Sequence, residues 1–377
     1  MSCEQKTAMQ KTSFPKDQIK VVLLEGTHPS GTALIEREGF DVEVYQGALE
    51  GGALIEAIGR AHVVGVRSKT QLTGEVLNQC ERLLAVGCFC AGTNQVDLEV
   101  AASMGVPVFN SPFSNTRSVA ELTIIEIIAK QRRVSHRAAQ LHKGEWDKSA
   151  DRSHEVRGRT LGIVGYGHIG SLVSVLAESM GMRVKFFDIQ SKLPLGNAES
   201  AGSLDELLST SDVVSLHVPE TPETVGLMSS ARIGMMKHGA YLINNARGSV
   251  VDLGALRLAI DGGKIAGAAV DVFPDEPAKR GEGFSNVMQG AENVILTPHV
   301  GGSTIEAQEA ISVDAAEKLV RFVNRGTTTG AVNVPNVDLP SQEVDGERSH
   351  RILNFHRNVP GVLGKFHEAA SSLGVNI

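Results

Sequence analysis

From Val21 to Asn110, short apolar runs alternate with stretches of helical spacing. The runs VVLLEG (21–26), DVEVY (41–45), HVVGVRS (62–68), LLAVGCF (83–89) and VPVFN (106–110) predict strands. Residues 29–39, 50–60, 73–81 and 97–105 predict the helices between them. Most runs are continuous rather than alternating, which suits strands buried on both faces, as in a parallel sheet covered by helices. A second series follows: TLGIVG, RVKFFD, DVVSLHVP, AYLINNA, IAGAAVDVF and NVILTP. The expected class is α/β, with two doubly wound parallel-sheet domains of Rossmann/flavodoxin-like type in tandem.

Ser118-Val-Ala-Glu121 reads as a capping box opening a long helix toward residue 144 that joins the two domains. Ser303-Thr-Ile-Glu306 reads as a second one, and Ile311, Ala315, Leu319 and Phe322 then share a face of a helix returning to the first domain. After about residue 333 the chain turns polar and aperiodic, which predicts a linker over 336–349. The last stretch, 350–377, reads as a strand, a Pro-Gly turn, a helix and the start of another strand. One strand and one helix cannot close a core alone.

At 377 residues, 42% hydrophobic and 21% charged, the chain can bury large cores. Its formal net charge of −7 is the wrong sign for a nucleic-acid footprint or an anionic membrane, so a small molecule is the expected partner. No apolar run approaches the roughly 18 residues of a membrane-spanning helix, and the first 14 residues lack a secretory apolar core. Cys3, Cys80, Cys88 and Cys90 fit neither a zinc nor a CxxC redox spacing, so reduced thiols, no metal and a cytoplasmic location are expected.

Gly165-Tyr-Gly-His-Ile-Gly170 follows the strand TLGIV and opens a helical pattern, the setting of a dinucleotide fingerprint. Gly165 permits the turn, Gly167 lets the backbone approach a pyrophosphate, and Gly170 allows helix and strand to pack closely. Asp188 ends the next strand, 18 residues after Gly170, where it can accept from ribose hydroxyls and repel a 2′-phosphate. NAD is therefore favoured over NADP.

Ligands of open parallel sheets bind beyond the carboxyl ends of the strands, which directs attention to the residues there. LINNA is followed by Arg247, GAAVDVF by Glu276 and VILTP by His299. Oxidising a 2-hydroxy acid needs a base for the hydroxyl proton, which His299 can be with an ordinary pKa of about 6.5. Glu276 can fix its tautomer, and the planar Arg247 fork suits a carboxylate. Each could instead be a packing residue or an ion pair; together, after a full glycine fingerprint, they point to hydride chemistry.

Gly165-Tyr-Gly-His-Ile-Gly170, Asn245-Ala-Arg247-Gly-Ser, Asp271-Val-Phe-Pro-Asp-Glu276-Pro and Thr297-Pro-His299-Val-Gly-Gly together resemble the D-isomer-specific 2-hydroxyacid dehydrogenases. Gly87–Asp97 and Asn110–Glu121 further resemble those members that oxidise 3-phosphoglycerate to 3-phosphohydroxypyruvate in serine synthesis, and the likeness runs over about residues 17–377. It implies a discontinuous substrate domain (15–114 and 302–335) with the NAD-binding Rossmann domain (115–301) inserted between. It also implies Arg247, Glu276 and His299 as the catalytic set, and cofactor contacts from His168, Ile169, His217, Ala246, Asp271, His299, Gly301 and Gly302 besides the three glycines and Asp188.

Substrate contacts are implied at Arg67, Ser68, Lys69, Asn115 and Arg247; Lys69 stands where relatives often carry Arg. Trp146 and Lys148 match a segment that reaches an adjoining subunit, implying a homo-oligomer, although Trp146 could equally serve packing. Residues 350–377 resemble the beginning of an ACT regulatory domain, a partial βα segment, with His356, Asn358 and Asn376 at positions that bind L-serine as effector. The same machinery also serves reduction of 2-oxoglutarate, and in C-terminal-binding-protein corepressors it senses NAD(H) without turnover.

Overall fold

The computed structural model describes residues 14–277, 281–339 and 353–374. The described residues form two compact units, one up to Pro112 and from Ile311 onward, the other within Phe113–Ala310.

The first unit holds β1 (Lys20–Leu23), β2 (Asp41–Val44), β3 (Val63–Val66), β4 (Ala85–Cys88) and β5 (Val108–Asn110), all parallel, in the order β2-β1-β3-β4-β5. Side chains alternate across a strand, so Val21 and Leu23 enter one core while Val22 and Leu24 enter the other. Burying each such side chain contributes roughly 1.5–3 kcal/mol. The expected face of the helix Ile305–Arg325 is present: Ile311, Ala315 and Leu319 are buried against Val21, Leu23 and Phe109, with Phe322 partly so. Gly87 makes this packing possible, because a Cβ there would lie 2.7 Å from Leu319 Cδ1.

The second unit adds β6 (Thr160–Val164), β7 (Arg183–Phe187), β8 (Glu199–Ser200), β9 (Val213–Leu216), β10 (Ala240–Asn244), β11 (Ile265–Val270) and β12 (Val294–Leu296). Their order is β12-β11-β10-β9-β6-β7-β8, again all parallel. The order reverses between β6 and β9, and at such a switch point the loops diverge to leave a ligand crevice. Among the described strands only β8, two exposed polar residues with no apolar pattern, was not expected from the sequence.

Both capping boxes are corrected. The first long helix is Thr116–Gln131, already under way at Ser118, whose hydroxyl pairs with that of Thr304 at 2.8 Å. Glu121 instead pairs with Arg117 one turn back. The helix does not reach 144: Arg133 takes a left-handed φ of 53°, and a separate helix, Val134–His142, follows. At the second box the cap is Thr304, whose hydroxyl accepts from the Ala307 amide at 3.2 Å, not Ser303.

In the C-terminal stretch, residues 353–359 carry no regular structure, so the strand expected there is not found over them; Val362–Ser372 is a helix. His356 and Asn358 lie on that irregular stretch, whereas Asn376 lies outside the described residues. Among the described residues no helix is long and apolar enough to cross a membrane.

Candidate active site

The glycine fingerprint forms the turn between β6 and the helix His168–Ser179. Gly165 adopts φ +91°, and a Cβ there would stand 2.4 Å from the His217 carbonyl of the loop after β9. At Gly170 a Cβ would stand 2.1 Å from the Gly165 carbonyl oxygen, so helix and turn meet backbone to backbone. Gly167 faces open space, with nothing within 4 Å of its absent Cβ. That is the shape a pyrophosphate needs over the free amides of a helix N-terminus. The residues present therefore fit a dinucleotide.

Asp188 directly follows β7, and one oxygen accepts from the Tyr166 amide at 2.8 Å while the other accepts from the Gln190 amide at 2.9 Å. Its carboxylate thus ties the glycine turn to the second strand and keeps lone pairs for a ribose. His168 is exposed and rests its ring on Phe113, centroids 3.9 Å apart, while Ile169 packs inward. His217 Nε2 pairs with Ser215 Oγ at 2.8 Å, its Nδ1 is shut off from solvent without a protein partner, and burial pushes its pKa down to about 4. Burial thus keeps His217 neutral next to the switch point.

Arg247, Glu276 and His299 lie beyond the carboxyl ends of three adjacent strands, β10, β11 and β12. His299 Nδ1 lies 2.8 Å from Glu276 Oε2, and Glu276 Oε1 accepts from the Phe273 amide at 3.0 Å. The Glu276 bond, opposed in part by burial, holds the His299 pKa above its ordinary value. For Glu276, burial pushes upward, but the bonds from His299 and Phe273 and the charge of Arg247 outweigh it, leaving a net downward shift. Arg247 is near enough to disfavour the protonated form of His299 and favour the ionised form of Glu276. The sequence reading thus placed three residues in one electrostatic cluster.

Their supports were not read from the sequence. Asp271, only 1% exposed, accepts from the Thr297 hydroxyl at 2.6 Å and from the Val300 and Gly301 amides at 2.8 Å each, locking the loop that carries His299. Beside the cofactor contact expected of it, its carboxylate has this holding role in the loop. His299 itself sits at φ +53°, uncommon for a residue with a side chain, and its amide donates to the Asp271 carbonyl. Gly301 packs against the Asp271 carboxylate, and Gly302 leaves room for Asn115, whose Nδ2 would lie 2.6 Å from a Cβ there.

Asn244 brackets the Arg247 turn, its Oδ1 accepting from the Ala246 amide at 3.2 Å and its Nδ2 donating to the Arg247 carbonyl at 3.0 Å. Asn245 anchors the same turn to the helix Thr116–Gln131 through 2.7 Å and 3.1 Å bonds to Glu126 and Thr123. The signal was present in IIEIIAK, where a carboxylate and an ammonium interrupt an otherwise apolar run. Arg247 Nη1 also donates to the Ala246 carbonyl at 2.6 Å.

The remaining candidates are carried by other segments. Arg67, half-buried, and exposed Ser68 and Lys69 follow β3 in the first unit. Trp146, 80% exposed, and Lys148 lie on the irregular stretch 145–150, which Arg137 holds through the carbonyls of Asp147 and Ser149.

The family model "D-isomer specific 2-hydroxyacid dehydrogenase, NAD binding domain" matches residues 124–301. A D-3-phosphoglycerate dehydrogenase of Haemophilus influenzae is 52% identical over 368 residues, 97% of this chain and 89% of that protein. One from Escherichia coli is 50% identical over 370 residues, covering 98% and 89% respectively. Among solved structures, the D-lactate dehydrogenase of Aquifex aeolicus complexed with NAD and lactic acid aligns with TM-score 0.71 and 30% identity, over 80% of this chain and 95% of that one.

Proposed function

The chain belongs to the D-isomer-specific 2-hydroxyacid dehydrogenases, in the D-3-phosphoglycerate dehydrogenase group, and from that premise we propose that it oxidises 3-phospho-D-glycerate to 3-phosphohydroxypyruvate with NAD, the entry to L-serine synthesis. The observation that carries the reading is the His299–Glu276 pair under the charge of Arg247, on the sheet edge that also bears the glycine turn.

Gly165, Gly167, His168, Ile169 and Gly170 would hold the pyrophosphate side of NAD, Asp188 its ribose, and His217 and Ala246 the far half. Bound there, NAD supplies the hydride acceptor. Arg247 holds the substrate carboxylate and polarises the C2 oxygen. His299 takes the C2 hydroxyl proton at Nε2, because Nδ1 is committed to Glu276. Glu276 then steadies the imidazolium, and Asp271 keeps the loop from turning the ring away.

Arg67 and Lys69, with Ser68 and Asn115, are assigned to the phosphorylated end of the substrate. Lys69 offers charge without Arg's bidentate fork. Trp146 and Lys148 are assigned to a neighbouring copy in a cytoplasmic homo-oligomer, and His356, Asn358 and Asn376 to an L-serine effector site.

NADH oxidation with phosphohydroxypyruvate, hydroxypyruvate and 2-oxoglutarate tests the reading. The phosphorylated acid is expected to be favoured in kcat/KM by about 100-fold or more, because a site built around a polar group rejects substrates lacking it. Equal rates on the unphosphorylated acids would overturn it.

A further inference from the structure

The loop that presents Arg67 and Lys69 is held by a residue to which no role has yet been given. Glu25 follows β1, and its Oε1 accepts from the amides of Arg67 at 3.2 Å and Thr70 at 2.8 Å, while Oε2 accepts from the Lys69 amide at 3.1 Å. Three backbone donors, 42 to 45 residues away in sequence, thus converge on one carboxylate. Such charge-assisted bonds are about twice as strong as neutral ones.

Glu25 is itself aimed. Its φ is +66°, left-handed and uncommon for a residue with a side chain, and the backbone around it is pinned: Leu24 donates to the Gly65 carbonyl, Glu25 to Gly47 and Gly26 to Tyr45. The other side of the Arg67 peptide is held too, since buried Gln95 donates to the Arg67 carbonyl at 2.5 Å and its own carbonyl accepts from the Leu72 amide. An exposed turn could leave its amides to water. All three bonds run to main-chain amides rather than to side-chain cations, so the contribution of this carboxylate to an anion site is geometric.

We propose that Glu25 is a positioning residue for substrate specificity, fixing the backbone from which Arg67 and Lys69 reach the phosphate; this rests on the function proposed above. Glu25→Gln keeps the size and one acceptor oxygen but turns an amide donor toward a backbone donor. In that variant KM for phosphohydroxypyruvate should rise about tenfold or more, as for loss of a charge-assisted hydrogen bond. The kcat, the kcat/KM for hydroxypyruvate and the NADH dissociation constant should stay near wild type.

Parallel loss on both acids, or no change on either, would overturn the role of Glu25. A wild-type enzyme with no preference for the phosphorylated acid would instead overturn the underlying reading, so the two failures are told apart. If Glu25→Gln does not fold, Gln95→Met frees the Arg67 carbonyl, together with the weaker contacts to the Gly92 carbonyl and Cys90 Sγ, and leaves Glu25 in place. The same selective rise is then expected, and parallel loss or no change would again overturn the proposal.

Discussion

His299 Nδ1 and Glu276 Oε2 lie 2.8 Å apart although 23 residues separate them, and each is independently tethered. Glu276 is fixed through its second oxygen to the Phe273 amide, and His299 through its own amide to the Asp271 carbonyl. One ring nitrogen is thereby occupied and the other left for the substrate proton. Replacing His299 with Ala should lower kcat by about 10²- to 10⁴-fold, the usual worth of a positioned acid–base group. NADH binding, followed by fluorescence, should be unchanged. Turnover close to wild type would remove His299 as proton carrier.

Asp188 holds the Tyr166 amide of the glycine turn, and the proposed function gives the same carboxylate a second task, the exclusion of a 2′-phosphate. Asp188→Ala should raise KM for NAD by about tenfold, the effect of one lost charge-assisted bond, and narrow the preference over NADP. The ratio of kcat/KM for the two cofactors checks it, and an unaltered ratio would contradict the assignment.

Gly248 is the closest backbone approach at the site. A Cβ there would lie 2.0 Å from the Phe273 carbonyl carbon and 2.4 Å from Pro274 N, both main-chain atoms that cannot swing aside. Gly248→Ala should cost about 1–3 kcal/mol of stability, as overpacking does, and displace Arg247 from Glu276. A lowered melting temperature with reduced kcat/KM is expected. A variant with wild-type stability and rate would show that these segments yield more freely than their geometry implies.

Much of this was legible in the sequence. Continuous apolar runs gave the strands of both sheets because parallel strands bury both faces, and the glycine turn announced itself because only glycine fits Gly165 and Gly170. Arg247, Glu276 and His299 could be picked out because each lies within a few residues of a strand's carboxyl end. The holding roles of Glu25, Asp271 and Asn245 could not, since their partners lie tens of residues or more away, where no spacing rule operates. The capping boxes misled because Ser118 and Ser303 sit near helix starts, but Asn115 and Thr304 precede the first turns.

Glu126, 2% exposed, is pushed up to about 8 by burial, with the charge of Asp271 adding to it and the Asn245 bond opposing. Its folded pKa lies above the unfolded one, so between about pH 4.5 and 8 the folded chain holds a proton that the unfolded chain has released. Its contribution to stability therefore falls as pH rises through that window. Glu126→Gln, neutral throughout, should melt close to wild type at low pH and increasingly above it toward pH 8. A constant difference across the window would contradict this.

The most direct test of the proton-transfer arrangement is the pH dependence of kcat/KM for phosphohydroxypyruvate reduction, in wild type and in Glu276→Gln. Reduction needs the imidazolium, and Glu276 raises the His299 pKa, so the wild-type rate should decline with rising pH only through a pKa above about 6.5. Without the carboxylate the same decline should move to lower pH. Superimposable profiles, differing only in height, would mean that Glu276 does not govern the proton on His299.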